Sequence, residues 1–333
     1  MINNIKSINI EEVLTDLNQF NNNVNLVNKF QNIMNLYHRM KYSNELTLKY
    51  KVNKADKKVK IFGEEFVRNN NNKCKINIEG EEFELKSEIN VHKDFQNNKN
   101  EMVVILKNIN TITNMKNAFK DTSLVSIPDL SKMDMTNVET MEGTFQNCVY
   151  LENLPELDLN VKGVKNMKRL FSGCRNIKNI SIKNWKTGKN QDMSYMFHDN
   201  RELKFIKGLK SLETSNVKSA ECMFSECCKL EQIEDISQWK TSNLIYMGEM
   251  FKGCKSLTTL PDISDWDTLK VKDIHEFFYG CEKLISLPDI SKWKTKNSGH
   301  PIENHSMSWH QPSLPPHSKH HRLQPSPSFR LLP

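Results

Sequence analysis

Residues 246–266 read Tyr-Met-Gly-Glu-Met-Phe-Lys-Gly-Cys-Lys-Ser-Leu-Thr-Thr-Leu-Pro-Asp-Ile-Ser-Asp-Trp, and this stretch decides the fold because the chain repeats it. One phenylalanine marks each copy, and successive phenylalanines lie 26, 26, 26, 27, 27 and 27 residues apart. They are Phe119, Phe145, Phe171, Phe197, Phe224, Phe251 and Phe278. A single unit of this length cannot bury its apolar face alone, so we expect neighbouring units to stack.

Other positions of the unit repeat in step with the phenylalanine. Cysteines follow it by three residues and tryptophans by fifteen, and both should form buried ladders because free cysteine packs as a small hydrophobic side chain. These residues are Cys148, Cys174, Cys227, Cys254, Cys281, Trp239, Trp266 and Trp293. The fourth unit departs from the pattern, with Asn200 in the cysteine place and Leu212 in the tryptophan place. The first unit reads as one residue short, so that its cysteine is missing.

The repeated phrases at residues 246–254 and 256–266 resemble the BspA-like leucine-rich repeats, a class found in surface proteins of bacteria and protists. The resemblance covers about residues 111–297, and it implies a solenoid used for adhesion or protein recognition, without catalytic residues. The expected fold class is therefore an α/β repeat. It would be a right-handed leucine-rich-repeat solenoid of about seven 26–27-residue repeats, with a β-rich N-terminal cap and a short N-terminal helix.

Four segments are expected along the chain. Residues 1–44 form an Asn-rich helical segment with an amphipathic helix at 9–41. Residues 45–110 alternate apolar and polar side chains and predict a β-rich cap, with an independent binding domain as the alternative. The repeats occupy 111–297. Residues 298–333 hold seven of the eleven prolines and predict a disordered tail, or a shifted reading frame or truncation.

Composition limits the cellular setting. The formal net charge is +7, and no apolar run approaches the roughly 20 residues of a membrane-spanning helix. No secretory leader is expected, and the eight cysteines do not fit a small disulfide-rich scaffold. We therefore expect a cytoplasmic location, with the cell surface as the alternative.

Catalytic, metal and cofactor sites are not expected. The cysteines recur once per unit, whereas zinc sites use closely spaced ligand pairs. His198 and His275 are the only histidines of the repeats, and nothing in the sequence places either one beside a nucleophile. The chain is therefore predicted not to be an enzyme, with an enzyme hidden in residues 45–110 as a remote alternative.

Two groups of polar residues are candidates for a binding surface. Aspartates recur in one register, each followed two residues later by a serine; they form a polar column or simply cap turns. They are Asp129, Asp235, Asp262 and Asp289. A basic run free of acidic residues either attracts an anionic partner or is a solvated face. It contains Lys162, Lys165, Lys168, Arg169, Arg175 and Lys178.

The expected partner is a protein of unknown identity. Nucleic acid is not expected, because no recognition helix accompanies the basic run, and neither is membrane insertion. The sequence predicts a non-catalytic protein-binding scaffold, with a BspA-like cell-surface adhesin as the alternative.

Overall fold

The computed structural model describes residues 44–294, apart from 54, 92–99, 128–129, 131–132, 153, 155 and 158. By its contacts the chain separates into Met1–Asn44 and Glu45–Pro333, and the elements below all belong to the second unit. The helix predicted at 9–41, the tail at 298–333 and Asp129 lie outside the described residues.

Among the described residues, the elements that precede the repeats form two antiparallel sheets and one helix. The strands are β1 (Glu45–Lys51), β2 (Lys58–Lys60), β3 (Lys75–Ile78), β4 (Glu81–Glu84), β5 (Glu88–Asn90) and β6 (Glu101–Lys107). Strands β4-β3-β6-β1 lie side by side in that order, β7 (Leu124–Ser126) of the first repeat adds beyond β1, and β2 pairs with β5.

The alternation expected around residue 48 is present in β1, where Leu46, Leu48 and Tyr50 are buried and the residues between them are exposed. Helix α1 (Glu64–Asn70) was not predicted, because residues 45–110 were expected to be β-rich. The sequence does carry a helix signal there, since Glu64 and Glu65 occupy its first turn, where acidic side chains favour a helix N-terminus.

Each repeat presents a turn segment, defined as the eight residues from five before to two after its phenylalanine. Units are numbered one to seven in the order of those phenylalanines. At all six junctions, four alternate amides of one turn segment donate to four carbonyls of the next. In unit five, the amides of Ala220, Cys222, Phe224 and Glu226 donate to the carbonyls of Tyr246, Gly248, Met250 and Lys252 at 2.7–3.0 Å.

Left-handed residues explain why these amides point the same way. Two residues before and two after each phenylalanine, φ lies between +48° and +74°. Alternation of right- and left-handed residues turns successive N–H groups toward one side of the backbone. The residues are Asn117, Gly143, Arg169, Tyr195, Cys222, Glu249 and Glu276 before, and Asp121, Asn147, Gly173, Asp199, Glu226, Gly253 and Gly280 after.

The predicted fold class is wrong. Between residues 111 and 294 the described residues contain no α-helix, and their only strands are β7, β8 (Asn179–Ser181) and β9 (Phe205–Lys207). Residues 267–278, whose sequence suits a helical or 3₁₀ turn, are turns and coil with one bridge residue, Asp273. The described part of the chain is mostly β, in small and chiefly antiparallel sheets with one α-helix, so it is not an α/β leucine-rich-repeat solenoid. A left-handed residue every fourth position prevents the run of right-handed residues that a helix requires.

The repeated apolar side chains stack between units. Consecutive phenylalanine rings have centroids 5.3–6.1 Å apart, and Trp239, Trp266 and Trp293 stack at 5.9 and 6.0 Å. All seven phenylalanines are fully buried. Each indole N–H donates to a carbonyl of the preceding unit, as Trp266 does to Ile236 at 3.2 Å.

The first repeat packs on the segment before it. The amide of Gly63 donates to Ala118 O at 3.0 Å, and the ring centroids of Phe62 and Phe119 are 5.8 Å apart. A Cβ on residue 63 would lie 2.1 Å from Asn117 O, so only glycine permits this approach. One apolar core therefore continues from the sheet into the repeats.

Candidate binding surface

The recurring aspartates stabilise turns. Oδ1 of Asp235, Asp262 and Asp289 each accepts the amide of the serine two residues later at 2.9 Å. This backbone hydrogen bond lowers the pKa of each carboxyl, because it stabilises the charged form. The geometry matches the turn-capping alternative.

Acidic side chains of neighbouring units compensate part of the basic run. Lys165 pairs with Glu139 at 3.3 Å, and Arg175 pairs with Asp199 at 2.6 Å, so both charges are compensated. Lys162 and Lys178 are exposed.

Lys168 and Arg169 differ from the rest of the run. Among the described residues, neither has a carboxylate within ion-pair distance, and both lie against the ring of Tyr195. The Arg169 guanidinium is 4.7 Å from the ring centroid, and the Lys168 ammonium is 5.8 Å from it. Cation–π contact holds the two charges in place without neutralising them.

A second tyrosine repeats this arrangement. Tyr246 is 44% exposed, and the Lys272 ammonium lies 6.0 Å from its ring centroid. We call the surface carrying Lys168, Arg169, Tyr195, Tyr246 and Lys272 the turn face. It consists of side chains on or next to turn segments, which the backbone bonds between units hold in fixed register.

Several charged side chains beside the turn face are paired. Lys252 lies 2.9 Å from Glu249 and 2.6 Å from Glu276, and His275 contacts Glu249 at 2.9 Å and Asp273 at 2.7 Å. The hydrogen bond to Asp273 raises the pKa of His275. Lys168, Arg169 and Lys272 differ from these residues, because none of the three forms an ion pair among the described residues.

The middle of the turn face contains a partly buried tyrosine and histidine. Burial, then contact with Cys222, raises the pKa of Tyr195, so its hydroxyl stays protonated. Burial lowers the pKa of His198, whose ring lies 5.5 Å from that of Tyr195. Both rings are therefore neutral at physiological pH and suited to contact with apolar or aromatic groups.

The cysteines of the repeats are hydrogen-bonded packing groups. Five thiols donate to the phenylalanine carbonyl of the preceding unit at 2.9–3.1 Å. In the first unit, Thr122 occupies the cysteine position, so the prediction that this unit is one residue short is wrong. Burial raises the pKa of Cys148 and Cys281 to about 12, which disfavours the nucleophilic thiolate. Within the described ranges, no group of three or more potential ligands is placed to hold a metal ion.

A groove of about 440 Å³ lies beside the last described units. Gly253 and Gly280 form its floor, because they lack the side chains that Asp199 and Glu226 carry at the same place. Glu226, Lys255, Tyr279 and Glu282 are among the residues that line it.

Sequence reasoning missed the tyrosines of the turn face. Tyr195 and Tyr246 occupy different register positions, and each is the sole tyrosine at its position, so no period revealed them. A search for aromatic residues one unit after a basic residue would have found Tyr195, which follows Arg169 by 26 residues. None of the helices that the structure describes is long and apolar enough to span a membrane.

A family model described as "Mycoplasma protein of unknown function, DUF285" matches the chain at residues 62–179, 89–204, 113–233, 152–259 and 201–307. The matches overlap because the units repeat, and together they span more than half of the 333 residues. No curated protein and no solved structure was found to match the chain.

Proposed function

We propose that this chain, which belongs to the DUF285 family, is a non-catalytic scaffold that binds a protein partner through the turn face. The observation that carries the proposal is the pair Lys168 and Arg169 on the ring of Tyr195, with no acidic partner among the described residues. Tyrosine and arginine are the residue types that most often contribute strongly to protein–protein affinity.

Rigidity of the stack supports this function. A binding surface loses affinity when its side chains must be ordered on contact. Here the backbone bonds between units fix the turn segments, and cation–π contacts restrain Arg169 and Lys272 before any partner arrives. The resemblance of the repeats to BspA-like repeats favours the same role.

The chemistry of the face indicates what a partner must offer. Unpaired cations at Lys168 and Arg169 attract carboxylates, whereas Tyr195 and Tyr246 offer aromatic contact. A segment that carries acidic and apolar side chains together matches both features.

The test compares partner capture by three versions of the chain of 333 residues. The face variant carries Lys168→Ala, Arg169→Asn and Tyr246→Ala; asparagine is chosen because it tolerates the left-handed backbone of residue 169. The control variant carries Lys178→Ala, Lys204→Ala and Phe205→Ala, three exposed positions outside the turn segments. Proteins cross-linked to each are compared by quantitative mass spectrometry after the variants are shown to melt like the wild type.

We expect at least one protein captured equally by the wild type and the control variant but lost from the face variant. If every captured protein is retained by the face variant, or is lost equally from both variants, the turn face is not the binding surface.

A reducing compartment is proposed for the chain, because all eight cysteines are free thiols. Antibody labelling of permeabilised but not intact cells is the expected result. Labelling of intact cells would instead favour the adhesin alternative.

A further inference from the structure

The turn face carries opposite charges on the two sides of unit four. Lys168 of unit three and Glu221 of unit five both stand three residues before the phenylalanine of their unit. The Phe197 ring of unit four lies between those two phenylalanines, with its centroid 6.1 Å from that of Phe171 and 5.8 Å from that of Phe224. A positive and a negative side chain therefore flank unit four in one row, at nearly equal distances.

The centre of this pattern is an aromatic ring. The hydroxyl of Tyr195, in unit four, donates to Glu221 Oε1 at 3.3 Å, and the same ring lies against Lys168 and Arg169. Tyr195 thus contacts the positive side chains on one side of unit four and the negative side chain on the other.

Acidic side chains of unit four have partners within the chain. Oδ1 of Asp192 accepts the amide and the hydroxyl of Ser194 at 2.8 and 2.6 Å. Asp199 pairs with Arg175 at 2.6 Å and with Arg201 at 2.7 Å. Neither carboxylate therefore has to be satisfied by a surface laid against unit four.

A face with this pattern is complementary to itself when two copies lie antiparallel. A two-fold axis through unit four brings unit three of each copy opposite unit five of the other. Lys168 then faces the partner's Glu221, and Glu221 faces the partner's Lys168, while Arg169 adds a second positive charge to each contact. Tyr195 meets the partner's Tyr195 at the axis, where two aromatic rings pack favourably.

Other arrangements satisfy the charges less well. Parallel copies would place Lys168 against Lys168 and Glu221 against Glu221, and like charges across an interface are costly. A uniformly acidic partner would be attracted by Lys168 but repelled by Glu221. Within one chain the two residues stand two units apart, about 10 Å by the usual spacing of adjacent strands, which is too far for an ion pair.

We propose that the partner of the turn face is a second copy of the chain, in an antiparallel two-fold dimer centred on unit four, an inference that rests on the proposed function. The dimer also covers Tyr246, whose ring is 44% exposed. Unit six then faces unit two, and Tyr246 lies opposite the partner's Thr140, which occupies the same position of its own unit.

The test is sedimentation velocity of the chain of 333 residues at low salt, with charge reversals on either side of the axis. Lys168→Glu or Glu221→Lys alone brings like charges together twice in each dimer, so each should raise the dimer dissociation constant at least ~10-fold. Lys178→Glu, the same reversal at an exposed position of unit three outside the turn segment, should leave it unchanged. The variants are first shown to melt like the wild type.

Mixing two variants separates a paired contact from a general effect of charge. At a concentration where the wild type is dimeric, the Lys168→Glu and Glu221→Lys variants should each be monomeric alone. Their equimolar mixture should form heterodimers with a dissociation constant close to that of the wild type, because every reversed charge then meets its opposite. A chain that carries both reversals should dimerise with itself for the same reason.

Three results would overturn the inference. A wild-type chain that stays monomeric up to its solubility limit forms no such dimer. A dimer that neither reversal weakens uses another surface. Single variants that dissociate, but whose mixture does not associate, would show that Lys168 and Glu221 do not face each other. The proposed function fails on a different result, namely retention of every cross-linked protein, the chain itself included, by the face variant.

Discussion

Units four and six have the same backbone conformation but different core residues. Tyr195 and Glu249 are both left-handed, and both donate to the next unit at 2.8 Å. Unit six has leucine, cysteine and tryptophan at three interior places, whereas unit four has Asn190, Asn200 and Leu212 there. The comparison teaches that backbone bonds set the path of the chain, while side-chain ladders decide how stable each unit is.

Unit four also contains unpaired polar atoms. Asn190 is fully buried, and neither its Oδ1 nor its Nδ2 has a partner among the described residues. Oδ1 of Asn200 is likewise unpaired, although its Nδ2 donates to Phe197 O at 2.9 Å. Buried amides without partners are destabilising, so unit four should be the weakest link of the stack.

The largest effect is expected from removing a stacked ring in the regular unit. Phe251→Ala should lower the free energy of unfolding by about 3–5 kcal/mol, because a fully buried ring is lost and a cavity remains. Urea unfolding measures this. Phe205→Ala is the control, since Phe205 is 36% exposed, and a cost as large as that of Phe251→Ala would remove the distinction between ladder and surface aromatics.

Trp266→Leu makes unit six resemble unit four. We expect a loss of about 2–4 kcal/mol in the free energy of unfolding, from lost apolar burial and the indole hydrogen bond to Ile236. Thermal unfolding of the variant, compared with that of Trp266→Phe, separates the two contributions. Equal melting of all three proteins would mean that the tryptophan ladder adds no stability.

The sequence predicted those features of the fold that recur with the period of the repeat. The ladder residues around Phe251 were found because one residue type recurs at one position. The left-handed positions were not found, because the seven residues that lie two before the phenylalanines are of six types, glycine and tyrosine among them. The predicted fold class was therefore wrong, because the period of the repeat carries no information about the handedness of the backbone.

The candidate site was less predictable than the core. Asp262 and its equivalents were identified with their turn-capping alternative, and Lys168 and Arg169 were among the basic candidates. Arg175 differs from Lys168 and Arg169 because it forms an ion pair with Asp199, which lies about one unit later in the sequence. No local pattern encodes that contact.

Asn190→Val makes unit four resemble the others, which have valine, isoleucine or leucine at that place. The free energy of unfolding should rise by about 1–2 kcal/mol, because two buried unpaired groups are removed. Val217→Asn, the reverse change in unit five, should lower it by at least as much. An unchanged urea midpoint in both variants would contradict the unpaired-amide explanation.

The smallest effect concerns His275, whose hydrogen bonds to Asp273 and Glu249 raise its pKa above the ordinary 6.5. Stability from the protonated ring is fully present below 6.5 and is lost as pH rises through the folded pKa. His275→Gln should therefore lower the melting temperature at about pH 6 and leave it nearly unchanged at about pH 9. A loss of equal size at both pH values would show that the charge does not contribute.

The turn face itself is tested most directly by hydroxyl-radical footprinting of the chain with its captured partner. Tyr246 and Phe205 are both exposed aromatic residues, but only Tyr246 belongs to the turn face. We predict that partner binding sharply reduces oxidation of Tyr246 and leaves that of Phe205 unchanged. Protection of Phe205 with Tyr246 still fully oxidised would contradict the proposed function.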